Sequence, residues 1–318
     1  MVLVLFRIAA IFLMIGAGWL ARRRNWMGPE TIQDLSRLLI SLFYPALILT
    51  TLTRNFTVDR LLANWPLPVG AFAVMVTGFG IGRICSRYVV TPGSRKARTF
   101  LFQCTMNNYG FVPLPLALVF WGEPAAAALI FSTLGPEIVV WTFGVYALTG
   151  RRLDRKSLRH LANPPLFAVT AALVLIGIRE WVPGVSTGLE NPIIQEAVAA
   201  IMASATLLGS ATIPVAMLIA GSRMAGLHPA HLFRPAELVI SAVRLVLVPG
   251  MAAAVLFLLP FDMQMRRILL LVAVMPCAVS SVLMSERYGA DSEFAASSVL
   301  VTHLFCLLTI PLWLLLLP

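Results

Sequence analysis

The chain has 318 residues, of which 59% are hydrophobic and 12% charged, and its formal net charge is +10. That balance leaves too little polar surface for a soluble globular protein of this size, so the class that remains is an all-α polytopic membrane protein. The basic excess does not signal nucleic acid. Its arginines fall in short clusters between apolar runs, the pattern of cytoplasmic loops facing anionic lipid.

The first apolar run, residues 3–21, precedes its basic cluster Arg22-Arg23-Arg24. A secretory signal has the opposite order, so the run is predicted to be retained as a span with its N-terminus outside. With about 20 apolar residues needed per span, nine more are predicted at 32–53, 66–88, 99–120, 124–149, 164–182, 194–222, 235–259, 266–284 and 294–317. In that arrangement 17 of the 24 basic residues lie on the inner side and six on the outer, and Arg244 is left within a span. Both termini are therefore predicted to be extracytoplasmic, in the inner (plasma) membrane. Cys85, Cys104, Cys277 and Cys306 all fall in predicted spans without metal-ligand spacing. They read as small packing residues, with no disulfide and no metal site.

Ten spans divide as five plus five, residues 1–160 and 161–318. The second span carries Pro45 and the seventh Pro214; the fourth carries Pro113 and Pro115 and the ninth Pro276. Corresponding spans of the two halves are thus interrupted at similar spacing. An odd number of spans per half inverts the second half in the membrane. Together these features point to a secondary transporter with its site between discontinuous helices near the membrane midplane. Proline is common in membrane helices, and that is the competing explanation for each one taken singly.

The stretch TMNNYGFVPLPL, residues 105–116, is the clearest interruption. Proline lacks the amide proton and clashes with the preceding turn, and Gly110 lets the backbone leave the helix cheaply. The freed backbone groups survive in hydrocarbon only against protein, water or ligand. A half-helix N-terminus with free amides suits a carboxylate, and Asn107 and Asn108 add neutral donors and acceptors. The reading is a ligand site; the alternative is that the two asparagines bridge helices.

These segments resemble the auxin efflux carrier family, whose bacterial members include malonate and malate permease-like carriers. NNYGFVPLPL is similar to the family's Asn-Tyr-Gly-Phe segment followed by Leu-Pro-Leu, with Asn108, Tyr109, Gly110, Phe111, Leu114, Pro115 and Leu116 at matching positions. GAGWLARRRNW, LFYPALIL, LGSATIPVAMLIAGSRM and MPCAVSSVLMSERYGAD resemble its first loop and its second, seventh and ninth spans. Asn107 and Pro113 stand where the family pattern has small residues, and the long hydrophilic loop of the plant exporters is missing. The resemblance implies a ten-helix inverted repeat in which helices 4 and 9 are broken and cross at Pro115 and Pro276, with Asn108 at the substrate. The candidate substrate-binding set is Asn107, Asn108, Tyr109, Gly110, Pro113, Pro115, Pro276 and Cys277.

Ionisable groups inside spans are functional candidates by default. Glu137, beyond Gly135-Pro136, and Arg244 are the candidates for ion coupling. The alternatives are a fixed Glu137–Arg244 ion pair, or Arg244 pairing with the substrate. Glu237 is expected near the inner end and solvated, as is Glu286. His303 reads as a helix-packing group, and the His228/His231 pair is a weak metal signal with no third ligand.

The leading expectation is a carrier of small organic anions rather than an enzyme: His-Glu-x-x-His and paired catalytic Asp do not occur. Two alternatives stand beside it: a sodium-coupled carrier like the bile-acid symporters, and a channel or sensor without transport. No cofactor is expected beyond a proton or sodium as coupling ion. The expected partners are the anion and membrane lipid, with no nucleic acid, and a homodimer is an admissible assembly.

Overall fold

A computed structural model of the chain describes residues 2–150, 163–181, 192–225 and 234–315, with backbone alone for residues 2–12. Among the described residues there is no β-strand, and seven helical stretches are long and apolar enough to cross a membrane. The protein is a multi-helix membrane protein. Continuous helices do not reach the expected count of ten. Two of the three missing are the predicted spans 99–120 and 266–284, where the helix is interrupted in mid-course; the third, 3–21, is a single helix whose first residues are described by backbone alone.

The first half runs α1 (Val2–Arg23), α2 (Pro29–Leu38), α3 (Tyr44–Asn55), α4 (Val58–Ala63), α5 (Pro66–Val89), α6 (Arg95–Thr105), α7 (Pro113–Ser132), α8 (Leu134–Val139) and α9 (Val145–Thr149). The second runs α10 (Pro164–Trp181), α11 (Pro192–Ser210), α12 (Thr212–Met224), α13 (Pro235–Ala242), α14 (Val248–Leu258), α15 (Met263–Ala273), α16 (Ser281–Arg287) and α17 (Ser292–Leu314). Within α7, Gly122 takes φ 80° and ψ −173° and turns the chain before Pro124. A left-handed φ costs glycine nothing, and this turn separates the predicted spans 99–120 and 124–149.

Prolines act in two ways. Pro45 and Pro214 were expected to break their helices, and Pro45 does not. A π-helical turn, Leu39–Phe43, precedes it and carries the chain straight on from α2 to α3. Pro249 repeats the device, with a π-helical turn at Val243–Leu247 between α13 and α14. Such a turn absorbs the missing i→i−4 hydrogen bond. The carbonyl that Pro249 leaves without its amide is that of Leu245, and the Trp313 indole of α17 donates to it at 2.8 Å. At Pro214 the chain passes from α11 to α12 through a single turn residue, Ala211. Of the prolines expected to interrupt a span, Pro113 and Pro276 accompany a helix stop of several residues.

The core gathers around these two stops. Every residue from Thr99 to Asn108 is buried, as is every residue from Ile268 to Val279. By contrast α11 is exposed along nearly its whole length although it is mostly apolar. In a bilayer such a surface faces acyl chains rather than water.

Candidate functional site

The first stop follows α6. Ser94 caps that helix by accepting from the Ala97 amide at 3.0 Å, and the helix ends at Thr105. Residues 106–112 leave helical geometry before α7 resumes at Pro113, a first-turn position where a missing amide proton costs nothing. The second stop follows α15 at Ala273, holds Pro276 and Cys277, and ends at Ser281.

The two stops lie against each other. Asn107 and Cys277 form an antiparallel bridge. The Asn108 amide donates to the Pro276 carbonyl at 2.8 Å, and the Ala278 amide to the Met106 carbonyl at 3.2 Å. Two segments that sequence places 165 or more residues apart satisfy each other's backbone, as hydrocarbon requires.

Side chains complete the arrangement. Asn108 Oδ1 accepts from the Phe111 amide at 3.1 Å and the Val112 amide at 3.4 Å, so it caps the turn that leads into α7. Asn107 Nδ2 donates to the Val272 carbonyl in a short hydrogen bond. That leaves Asn107 Oδ1 and Asn108 Nδ2 buried without a partner among the described residues. The Cys277 amide donates to Thr302 Oγ1 at 3.2 Å and its thiol to the Gln103 carbonyl at 3.5 Å.

Arg244 stands behind both stops. It is fully buried, and its two terminal nitrogens lie 3.4 Å from the Cys104 and Met275 carbonyls, at the C-terminal ends of α6 and α15. A cation there meets the negative ends of two helix dipoles. The close approach is possible because α5 offers Gly78: a β-carbon at that position would collide with the Cys104 carbonyl. Among the described residues the ion pairs are Arg37–Asp34 and Arg179–Glu180, so Arg244 has no carboxylate beside it.

The expected alternative of a Glu137–Arg244 ion pair is therefore not what is found. Glu137 accepts from the Tyr109 hydroxyl at 2.9 Å, the Trp141 indole at 3.2 Å and Asn163 Nδ2 at 3.0 Å. Tyr109 reaches Glu137 from the stop, Asn163 from the residue before α10, and Trp141 from one turn further along the same helical stretch, while Arg244 belongs to the α13–α14 side. Glu237 is a second correction. Instead of being solvated it is fully buried, with the Ser297 hydroxyl donating to one oxygen at 2.9 Å. Its helix face is covered by α17, which a one-dimensional reading of span ends does not reveal. Glu286 is exposed. His303 is buried with Nδ1 2.8 Å from the Val299 carbonyl of its own helix. His228 and His231 lie outside the described residues.

The candidate set thus separates. Asn107, Asn108, Pro276 and Cys277 meet directly; Tyr109 leads away to Glu137, and Gly110 lies beside the Tyr44 hydroxyl. Pro113 and Pro115 are buried in the first turn of α7. A chamber of about 760 Å³ opens nearby, with Arg22, Arg37, Arg223 and Glu286 in its wall, and it reaches Val279 just past the second stop.

The family profile described as membrane transport protein matches residues 3–157 and 151–314. The chain belongs to this auxin-efflux-carrier-like membrane transport family. An uncharacterized transporter from Methanocaldococcus jannaschii is 24% identical over 311 residues, 95% of each chain. One from Methanothermobacter thermautotrophicus is 24% identical over 313 residues, 96% of each chain. PIN-LIKES 5 of Arabidopsis thaliana is 20% identical over 380 residues, 96% of this chain and 94% of its own. The family and these relatives are named as transporters or PIN-like proteins, not as enzymes. In this membrane transport protein the residues that sequence reasoning missed are Thr302 of α17, whose hydroxyl holds the second stop, Gln103 of α6, which ties α6 to α17 through the Ala295 carbonyl, and Ser297, which holds Glu237. The available signal was polarity: Ser297, Ser298, Thr302 and His303 are buried polar residues in a largely apolar span.

Proposed function

We propose that the protein is a secondary active transporter of small organic anions, carboxylates foremost, working by alternating access across the inner membrane. In this reading the ten predicted spans form a five-plus-five inverted repeat with both termini outside, and the two helix stops are the crossing of helices 4 and 9. The substrate carboxylate docks at that crossing. The observation that carries the reading is the pair of buried, unpartnered side-chain atoms there, Asn107 Oδ1 and Asn108 Nδ2. A native protein seldom leaves such groups without a use, and the amide of Asn108 is a donor suited to a carboxylate. Arg244 supports an anion, since its buried charge has no counterion among the described residues. The three arginines against one glutamate in the neighbouring chamber raise the local anion concentration.

Glu137 is the proposed coupling group, because its bond to Tyr109 ties a carboxylate to the stop itself. A thermal-shift screen of purified protein against mono- and dicarboxylates, with and without sodium and at two pH values, tests the reading. A ligand that binds the native state raises Tm by mass action. The expected result is a rise with a small carboxylate that Asn108→Ala weakens. Stabilisation by sodium alone would favour the symporter-like mechanism. Substrate-independent ion current in proteoliposomes would favour a channel.

A further inference from the structure

Away from the helix stops, α5, α6 and α9 enclose another cavity, of about 570 Å³. Arg83, Arg87 and Arg98 line it with Ser86, Tyr146 and Thr149, and among the described residues its wall contains no Asp or Glu. Arg83 and Arg87 stand one turn apart at the end of α5, are exposed, and make no hydrogen bond or ion pair among the described residues. Arg98 is fixed in place, donating to the Leu148 carbonyl at 3.0 Å and the Gly289 carbonyl at 3.1 Å. On the same helix Ile84 is 61% exposed and Tyr88 85% exposed. An outward isoleucine with a tyrosine one turn later marks the boundary between acyl chains and headgroups. The cavity therefore combines an uncompensated positive charge, donor forks that match phosphate geometry, and a mouth at the level of the lipid headgroups.

We propose that this cavity binds the phosphate of an anionic phospholipid such as phosphatidylglycerol, through Arg83 and Arg87, with Arg98 as its fixed floor. The chemistry it recognises is a phosphate ester. The flanking Ile84 and Tyr88 favour a lipid over a soluble phosphate as its source. The site is placed to affect transport, because Arg98 and Arg95 both hold Gly289, at the end of α16, while they sit on α6. One helix leads into the first stop and the other leaves the second.

The test compares wild type with Arg83→Gln/Arg87→Gln in nanodiscs of phosphatidylcholine alone and with added phosphatidylglycerol. Retained lipid is counted by native mass spectrometry, and Tm is measured in parallel. At about one factor of five per arginine near a membrane surface, the double variant is expected to bind phosphatidylglycerol roughly thirtyfold more weakly. Its Tm in phosphatidylcholine alone should match wild type, since neither side chain holds a partner. Inorganic phosphate and glycerol 3-phosphate form the soluble arm and are expected to leave Tm unchanged. Equal phosphatidylglycerol retention by the two proteins would overturn the site. Stabilisation of wild type by inorganic phosphate as large as that by the lipid would overturn the assignment to lipid.

Discussion

The two helix stops solve one problem by different means. The first, residues 106–112, closes itself: Asn108 supplies an oxygen to the amides of Phe111 and Val112 and so caps the turn that leads into its outgoing helix. The second, residues 274–280, has no such side chain. Its groups are met from elsewhere, by Thr302 of α17, by Arg244 and by the backbone of the first stop. A self-capped stop has polar side chains at its own disposal, and two of their atoms remain unpartnered. The dependent stop presents proline, a thiol and backbone. The difference assigns recognition to the first stop and support to the second, and substitutions can separate the two roles.

The largest expected effect comes from Gly78→Ala, which strikes the support of both stops at once. Its new methyl group meets the Cys104 carbonyl and crowds Arg244. Overpacking at a backbone contact costs about 1–3 kcal/mol or more, and transport is expected to be lost with it. Thermal melting and uptake on the same preparation check this; a protein with wild-type stability and activity would show that Arg244 is not held as described.

Next is Asn108→Ala, on the recognition side. It removes that turn cap, worth about 1 kcal/mol of stability as a hydrogen bond, and a donor to substrate, worth roughly tenfold to a hundredfold in affinity. Asn108→Asp keeps the capping oxygen but not the donor. It should recover stability and not binding, and recovery of both would make the side chain a cap only.

Thr302→Val acts on the support side alone. It leaves the buried Cys277 amide without an acceptor, at about 1–3 kcal/mol, while affinity in the folded protein is unchanged. The smallest structural effect is expected of Glu137→Gln, whose one oxygen can still accept from Trp141 and Asn163 while its amide donates to the Tyr109 hydroxyl. Melting should move little, yet uptake should stop following the pH gradient. Uptake that tracks pH as in wild type would remove Glu137 from coupling.

Much of this was legible in the sequence, and the reasons are local. Asn-Asn-Tyr-Gly followed by two prolines forbids a continuous helix whatever surrounds it, so the first stop could be read directly. Pro276 marked the second. Pro45 misled, because the π-helical turn that absorbs it depends on how α2 and α3 pack and not on residue type. The roles of Arg244 and Glu237 were out of reach for the same reason. Which carbonyls an arginine meets, and which helix covers a glutamate, are set by contacts between halves of the chain.

The most direct test of the account is the dissociation constant of a carboxylate that passes the thermal-shift screen, measured by titration calorimetry on folded Asn108→Ala and folded Thr302→Val. The account predicts that Asn108→Ala binds about tenfold to a hundredfold more weakly than wild type while Thr302→Val stays within about twofold. Wild-type affinity in Asn108→Ala, or an equal loss in both variants, would contradict the division between a recognising stop and a supporting one.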